Sequence, residues 1–291
     1  MSGSAHRRGP EPGSEIRTAG RPDAVITSVR STRVVAARRL ASRAFRARQR
    51  QFLVEGPQAV REAAAERDLL GELFATADAA ERHPEIIEAA SASGAVVSIA
   101  ADEVVASLGD TVAGQGLVGV CRFLDRPLSA VLERPARLIV LLAHIRDPGN
   151  AGSVLRAADA AGADAVLFSG ESVDVYNPKA VRASVGSLFH LPVVTGVDLP
   201  GAVAALRDRG VRVLAADGTG PADLDDEADS GALAAPTCWM FGNEAWGLPE
   251  PVRALADEVV RVPIHGRAES LNLATAAAVC LYASARAQRR G

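Results

Sequence analysis

Hydrophobic residues in the second half of the chain fall in short, nearly unbroken runs. Leu138–His144, Ala165–Phe168, Leu191–Thr195, Val211–Ala215, Cys238–Phe241 and Val259–Val262 are apolar at most positions. Strands that are continuously apolar, rather than alternating, belong to parallel sheets covered on both faces. Between the runs, apolar residues recur at helical spacing over Ser153–Ala161, Pro178–Ser187, Leu199–Arg209, Glu250–Ala256 and Leu271–Gln288. The pattern predicts an α/β unit on a parallel sheet over residues 136–291. The first half alternates in the same way with shorter pieces. Strands are expected at Gln51–Glu55, Gly71–Ala75, Ala95–Ile99 and Gly116–Phe123, with helices over Pro57–Arg67 and Ala79–Ser93. That is a smaller α/β unit over residues 23–123, joined by a linker at 124–135 that carries two prolines and mixed charge. Residues 1–22 are rich in Gly, Pro, Ser and Arg without apolar periodicity, and read as a disordered tail.

Composition adds little to this picture. Of 291 residues, 48% are hydrophobic and 23% charged, which excludes a collagen-like or disordered chain. The net charge of −3 advertises no cationic field, but its distribution is uneven. Arg30, Arg33, Arg38, Arg39, Arg43, Arg46, Arg48 and Arg50 fall within 21 residues, with no acid among them or after them until Glu55. Val34, Val35, Leu40, Ala41 and Ala44 lie among them at helical spacing, so one amphipathic helix with an arginine face is expected. Such a row of like charges repels itself unless a polyanion screens it, which predicts phosphate binding. Lys179 is the single lysine among 32 basic residues, a skew that reads as genomic base composition.

Cys121, Cys238 and Cys280 have neither zinc-ligand nor redox spacing and sit in apolar stretches, as small core residues in a reducing compartment do. No apolar run approaches the roughly 20 residues of a membrane span, and the first residues lack the apolar core of a secretory signal. A soluble cytoplasmic protein is therefore expected.

Ligands of open parallel sheets bind beyond the carboxyl ends of the strands, so the residues following each strand are the candidates for chemistry. Three junctions stand out. In the first, His144-Ile145-Arg146-Asp147-Pro148-Gly149-Asn150 turns into a helix that Asn150 could cap and that carries Arg156, with Asp159 as an available ion-pair partner. In the second, a buried strand ends in Phe241-Gly242-Asn243-Glu244, followed by Trp246, which could be core or lid. In the third, Pro263 to Asn272 leads into a helix apolar nearly all round, for which Ser270 is a natural cap. Such a helix is buried or packs on a second chain. His265 has no second His or Cys at ligand spacing, so no metal is expected. The glycine patterns of Rossmann and P-loop sites are absent.

With Asn150-x-Gly152-x-x-x-Arg156, Phe241-Gly242-Asn243-Glu244 and Ser270-Leu271-Asn272 in this order, the chain resembles the SpoU (TrmH-like) branch of the SPOUT RNA methyltransferases. Tyr176-Asn177-Pro178-Lys179-Ala180-Val181-Arg182-Ala183-Ser184-Val185-Gly186 is similar to that family's middle segment. Phe52-Leu53-Val54-Glu55-Gly56 and Gln115-Gly116-Leu117-Val118 resemble the ribosomal-protein-like RNA-binding module that often precedes it.

The resemblance implies a catalytic domain whose C-terminal segment is threaded into a deep trefoil knot, an S-adenosylmethionine pocket formed by that knot, and a homodimer through the C-terminal domain. It implies a catalytic set of Asn150, Arg156, Glu244, Ser270 and Asn272. Cofactor contacts would fall on Ala215, Ala216, Gly242, Val262, Ile264 and Leu271. RNA would be gripped by Arg30, Arg33, Arg38, Arg39, Arg43, Arg46 and Arg182. The implied reaction is methyl transfer to a ribose 2′-hydroxyl, in ribosomal RNA rather than transfer RNA by family analogy. Ala245 and Trp246 depart from the Gly and polar residue of many relatives. Competing readings are a knotted RNA-binding protein without turnover and a Rossmann-type enzyme acting on a small molecule.

Overall fold

The computed structural model describes residues 25–109 and 115–290, and the tail expected at 1–22 lies outside them. Two sheets organise the chain. The first holds β1 (Gln51–Glu55), β2 (Leu70–Ala75), β3 (Val96–Ile99) and β4 (Leu117–Arg122) in the order β1-β4-β2-β3. β4 runs antiparallel to both β1 and β2, whereas β2 and β3 are parallel.

The second sheet holds β5 (Leu138–Leu142), β6 (Ala165–Ser169), β7 (Val193–Val197), β8 (Arg212–Ala216), β9 (Ala222–Asp223), β10 (Thr237–Phe241) and β11 (Glu258–Arg261). Its order is β7-β6-β5-β10-β8-β11-β9, with every pairing parallel. β5, β6 and β10 are buried at every position, as the unbroken apolar runs require. The two faces feed different cores. Leu138, Val140 and Leu142 pack with Val154, Ala158, Ala277 and Leu281 of the helices Pro148–Ala161 and Leu273–Gln288. Ile139 and Leu141 point the other way, to Val203 and Leu206 of the helix Leu199–Arg207. A buried hydrogen bond from Trp239 Nε1 to Ser284 Oγ (2.8 Å) pins the last helix to the central strand.

Tertiary context redraws several local features. The expected helix over Ala79–Ser93 is two, Ala77–Arg82 and Pro84–Ala92, because Pro84 has no amide hydrogen to continue the first. The arginine-rich stretch is likewise two short helices, Thr32–Arg39 and Arg43–Gln49. The break between them is occupied by Arg46, which is buried and donates from Nη1 to the carbonyls of Leu40 (2.8 Å) and Ala41 (2.7 Å). Its Nε and Nη2 bind Asp174 Oδ2 at 2.9 and 2.6 Å. Arg46 thus ties the first unit to the second and has no surface to offer RNA, which corrects its place in the RNA-contacting set. Residues 124–135 also hold a short helix, Leu128–Val131.

The contact between the two units is aromatic and ionic. Tyr176 stacks on Phe123 (centroids 3.8 Å apart) and leans on Phe52, while its hydroxyl donates to Asp125 Oδ1 (2.8 Å) and accepts from the amides of Leu124 and Asp125. Burial, followed by the Asp125 carboxylate, pushes the Tyr176 phenol far above its usual range. Cys121, Cys238 and Cys280 are buried and unpaired, and burial raises all three thiols, Cys280 to about 12. No described helix is long and apolar enough to cross a membrane, and no described cluster of three His, Cys, Asp or Glu could hold a metal.

Candidate active site

The strand order brings the three junctions to one edge of the sheet. β5 and β10 are neighbours, β10 pairs with β8, and β8 with β11, so the loops leaving these strands crowd together. Asp147 caps the helix Pro148–Ala161, its Oδ1 accepting from the Asn150 amide at 2.8 Å. This replaces the expected Asn150 cap. Proline occupies the first helical position, so the cap falls before it and the Asn150 side chain is left free.

That side chain is the centre of a relay. Asn150 Nδ2 donates to Glu244 Oε1 (3.2 Å), and Asn150 Oδ1 accepts from Asn272 Nδ2 (3.1 Å). Glu244 also accepts from the amides of Arg146 and Asp147, both at 3.2 Å. Asn272 in turn caps the last helix, with its Oδ1 taking the Ala274 amide at 2.9 Å. Ser270, expected as that cap, lies two residues before Asn272 in the exposed loop, because the asparagine oxygen already satisfies a free amide of the first turn.

Other placements follow. Arg156 is exposed on the helix of Asn150, six residues on, and has no ion-pair or hydrogen-bond partner among the described residues. Asp159, its possible partner, bonds His190 Nδ1 instead at 2.8 Å. Ala216, Gly242 and Val262 stand at or just beyond the ends of β8, β10 and β11, three adjacent strands. Ala215 is buried one residue further in, while Ile264 and Leu271 stay exposed although apolar. Residues 262–271 make no backbone hydrogen bond among the described residues, so their amides and carbonyls remain available to a ligand. Gly242 is required by packing: a Cβ there would lie 2.3 Å from the Gly247 carbonyl carbon. Gly152 is required likewise, since a Cβ would meet the Ala180 carbonyl oxygen at 2.3 Å where two helices cross.

Of the arginines, Arg30, Arg38, Arg39 and Arg43 are exposed, with Arg39 over the Phe45 ring. Arg33 pairs with Glu72 and bonds Ser98, and Arg182 lies 3.8 Å from Glu55 at the junction of the units. Trp246 is solvent-exposed, not core.

Sequence reasoning overlooked four residues. Asn243, nearly fully buried, donates from Nδ2 to the His144 carbonyl (2.7 Å) and accepts the Ala245 amide, setting the turn that presents Glu244. Lys179 Nζ bonds Asp147 Oδ2 at 2.8 Å, and this bond, ahead of the helix amides, holds the Asp147 carboxyl below its usual range. Asp217 organises the loop after β8 through the Thr219 amide and hydroxyl. The Asp-Pro pair at 147–148 was a readable cap signal. Nothing in the sequence marks the long-range bonds of Asn243 and Lys179.

The model of the SpoU rRNA Methylase family matches residues 137–282, half of the chain. This chain belongs to the SpoU rRNA methylase family. Ahead of that match, the model of the MRM3-like substrate binding domain matches residues 31–119. Over 259 residues the chain is 31% identical to the 23S rRNA (guanosine(2553)-2′-O)-methyltransferase of Bacillus subtilis, covering 88% of this chain and 97% of that protein. It is 38% identical over 181 residues to the 23S rRNA (uridine(2479)-2′-O)-methyltransferase of Streptomyces viridochromogenes, covering 60% and 61% of the two chains. Among solved structures, the AdoMet-bound rRNA methyltransferase of Sinorhizobium meliloti superposes with a TM-score of 0.79 at 29% identity, over 90% of this chain and 97% of that one. The SpoU methyltransferase AviRb of Streptomyces viridochromogenes, in complex with AdoMet, gives 0.78 at 33% identity, over 90% and 99%.

Proposed function

We propose that this SpoU-family protein transfers a methyl group from S-adenosylmethionine to a ribose 2′-hydroxyl in ribosomal RNA. The observation that carries the reading is the relay Asn272–Asn150–Glu244, which draws three distant segments into one edge-of-sheet site beside an uncompensated Arg156. The names of the relatives supply the substrate class.

The cofactor pocket falls at the ends of β8, β10 and β11. Small residues (Ala216, Gly242), exposed aliphatic side chains (Ile264, Leu271) and a loop with unused backbone groups form a donor set that fits a nucleoside-bearing, partly apolar ligand. The sulfonium of the bound cofactor supplies an activated methyl group. The protein's task is then to place and desolvate the hydroxyl that receives it. Asn150, held at both ends of its amide, is fixed in one orientation, and Glu244 holds the turn around it. A guanidinium does not readily give up or take up a proton, so Arg156 serves by gripping an adjacent phosphate and stabilising the alkoxide that develops as the hydroxyl proton passes to solvent. Ser270, exposed and without a hydrogen-bond partner among the described residues, is available to hold the ribose.

We assign a trefoil knot to the C-terminal segment. β10 lies between β5 and β8, β11 lies beyond β8, and residues 262–272 must recross the ends of β8 and β10 to reach Asn150. The general rule against threaded chains would reject this path. The functional division falls at 124–135, with RNA binding ahead of it and catalysis after. A second copy of the chain covers the exposed stripe Thr275, Val279 and Tyr282 on the last helix, spaced as one helical face.

The test is Arg156→Ala. Transfer of tritiated methyl groups to 23S rRNA should fall to background while S-adenosylmethionine binding, measured calorimetrically, stays within about twofold. Loss of cofactor affinity would refute the role of Arg156, and a wild-type protein that labels no ribosomal RNA would refute the function.

A further inference from the structure

The carboxyl edge of the second sheet continues past the relay, over β6 and β7. A crevice of about 210 Å³ lies there under the helix Arg43–Gln49, with Arg43, Phe168, Ser169, Gly170 and Gly196 among its walls. It shares Thr195 and Gly196 with a more open groove of about 550 Å³ bounded by Arg50, Arg126 and Val197. The two form one trough. Its inner end abuts the relay loop, because the His144 amide bonds Ser169 Oγ (2.9 Å) and the Val173 amide bonds the Ile145 carbonyl (2.7 Å). β7 is two strands from β5, roughly 10 Å away, which is a short step along an RNA strand.

The charges along the trough are unequally used. Asp174 is neutralised by Arg46; Asp125 is taken by Tyr176 and Arg50; Asp198 caps its own helix. Glu171 lies 3.5 Å from His144 Nδ1. Arg43 and Arg126 are exposed and have no side-chain partner among the described residues. Arg50, 60% exposed, sits 4.7 Å over the Phe123 ring, the kind of guanidinium platform on which a base stacks. Gly170 and Gly196 keep the floor low, with nothing within 4 Å of where a Cβ would stand on either.

We propose that this trough is the track for single-stranded RNA flanking the methylated nucleotide, with Arg43 and Arg126 on phosphates and Arg50 beneath a base. The assignment deepens the methyltransferase reading and rests on it for the position of the reacting ribose. The walls carry as many aspartates as arginines, but the aspartates are engaged while Arg43 and Arg126 are not. That imbalance favours a polyanionic strand on a groove continuous with the relay, and unpaired nucleotides are the form in which RNA sequence is usually read.

The test uses the full chain and a 23S rRNA transcript. In Arg43→Glu/Arg126→Glu, the transcript's Kd and KM should each rise roughly tenfold, with S-adenosylmethionine affinity unchanged and kcat within about twofold. Replacing either arginine by Ala should flatten the log Kd against log salt plot by about 0.7. Gly170→Glu, whose Cβ enters open space at an ordinary φ, should raise Kd and KM in the same way by obstructing the trough. Arg209→Glu, exposed before β8 at the opposite edge of the sheet, should leave both values as they are. Unchanged RNA affinity in the double variant, or an equal loss in Arg209→Glu, overturns the track. A wild-type protein that binds the transcript through the trough yet transfers no methyl group would instead overturn the function and leave the track standing.

Discussion

Arg46→Met separates two readings of one arginine cluster. The guanidinium is 2% exposed and Asp174 12% exposed, so neither charge can recover full hydration when its partner goes. Methionine keeps most of the volume but deletes two bonds to Asp174 Oδ2 and two to the carbonyls of Leu40 and Ala41. Asp174 keeps a bond from the Tyr176 amide at 2.9 Å, which leaves the carboxylate largely uncompensated. An orphaned buried charge costs about 3–5 kcal/mol. Of the stranded carbonyls, that of Ala41 belongs to an exposed residue that water reaches, whereas that of buried Leu40 adds a further cost of about 1–3 kcal/mol. The loss is a large part of the roughly 5–15 kcal/mol that holds a typical domain together. Arg43→Met, three residues away and exposed, should stay within about 0.5 kcal/mol. Urea unfolding followed by circular dichroism measures both. Adding Asp174→Leu to Arg46→Met should recover part of the loss, giving a coupling of about 2 kcal/mol or more in the double-mutant cycle. A cost below about 1 kcal/mol for Arg46→Met would refute the reasoning and return Arg46 to the RNA-binding set.

Asn272→Ala should lose about 1 kcal/mol of stability with the helix cap and most of the methyl-transfer activity with the Asn150 contact. Asn272→Ser should restore the cap and the melting temperature but not the activity; recovery of both would show the relay to be unnecessary. Lys179→Met removes a half-exposed pair, so kcat should fall only about twofold to fivefold. Because the Lys179 bond lowers the Asp147 carboxyl, its stabilisation is present above the ordinary aspartate value of 3.8 and disappears as pH falls through the lowered one. Acid unfolding of wild type and Lys179→Met should therefore converge at the acid end. His190 links Asp159 (2.8 Å) to Glu62 (3.2 Å) of the first unit, and these bonds, Asp159 first, raise its pKa above 6.5. That contribution is complete below 6.5 and lost as pH rises through the raised value. Wild type should exceed His190→Gln by about 0.5–1 kcal/mol at pH 6 and by nothing near pH 9, measured by thermal melts. An equal difference at both pH values would remove the ionic clasp.

Much of the molecule was legible before folding was considered. Unbroken apolar runs such as Leu138–Leu142 announce strands buried on both faces, because period and hydrophobicity are local properties. The three junctions that end β5, β10 and the last loop carried the residues Asn150, Glu244 and Asn272 in readable order. Their meeting was not legible. It depends on β10 lying between β5 and β8 and on a loop recrossing those strand ends, neither of which any local spacing encodes.

The same limit applied to charge. Residue order alone shows eight arginines between Arg30 and Arg50 with no acid among them. It took the packing of the two units to set Arg46 against Asp174, 128 positions away, and Arg50 against Asp125, while leaving Arg43 to solvent. The physical reason is that an arginine's function is set by the carboxylate and the burial it meets, and both arrive from distant parts of the chain only when the two units close against each other.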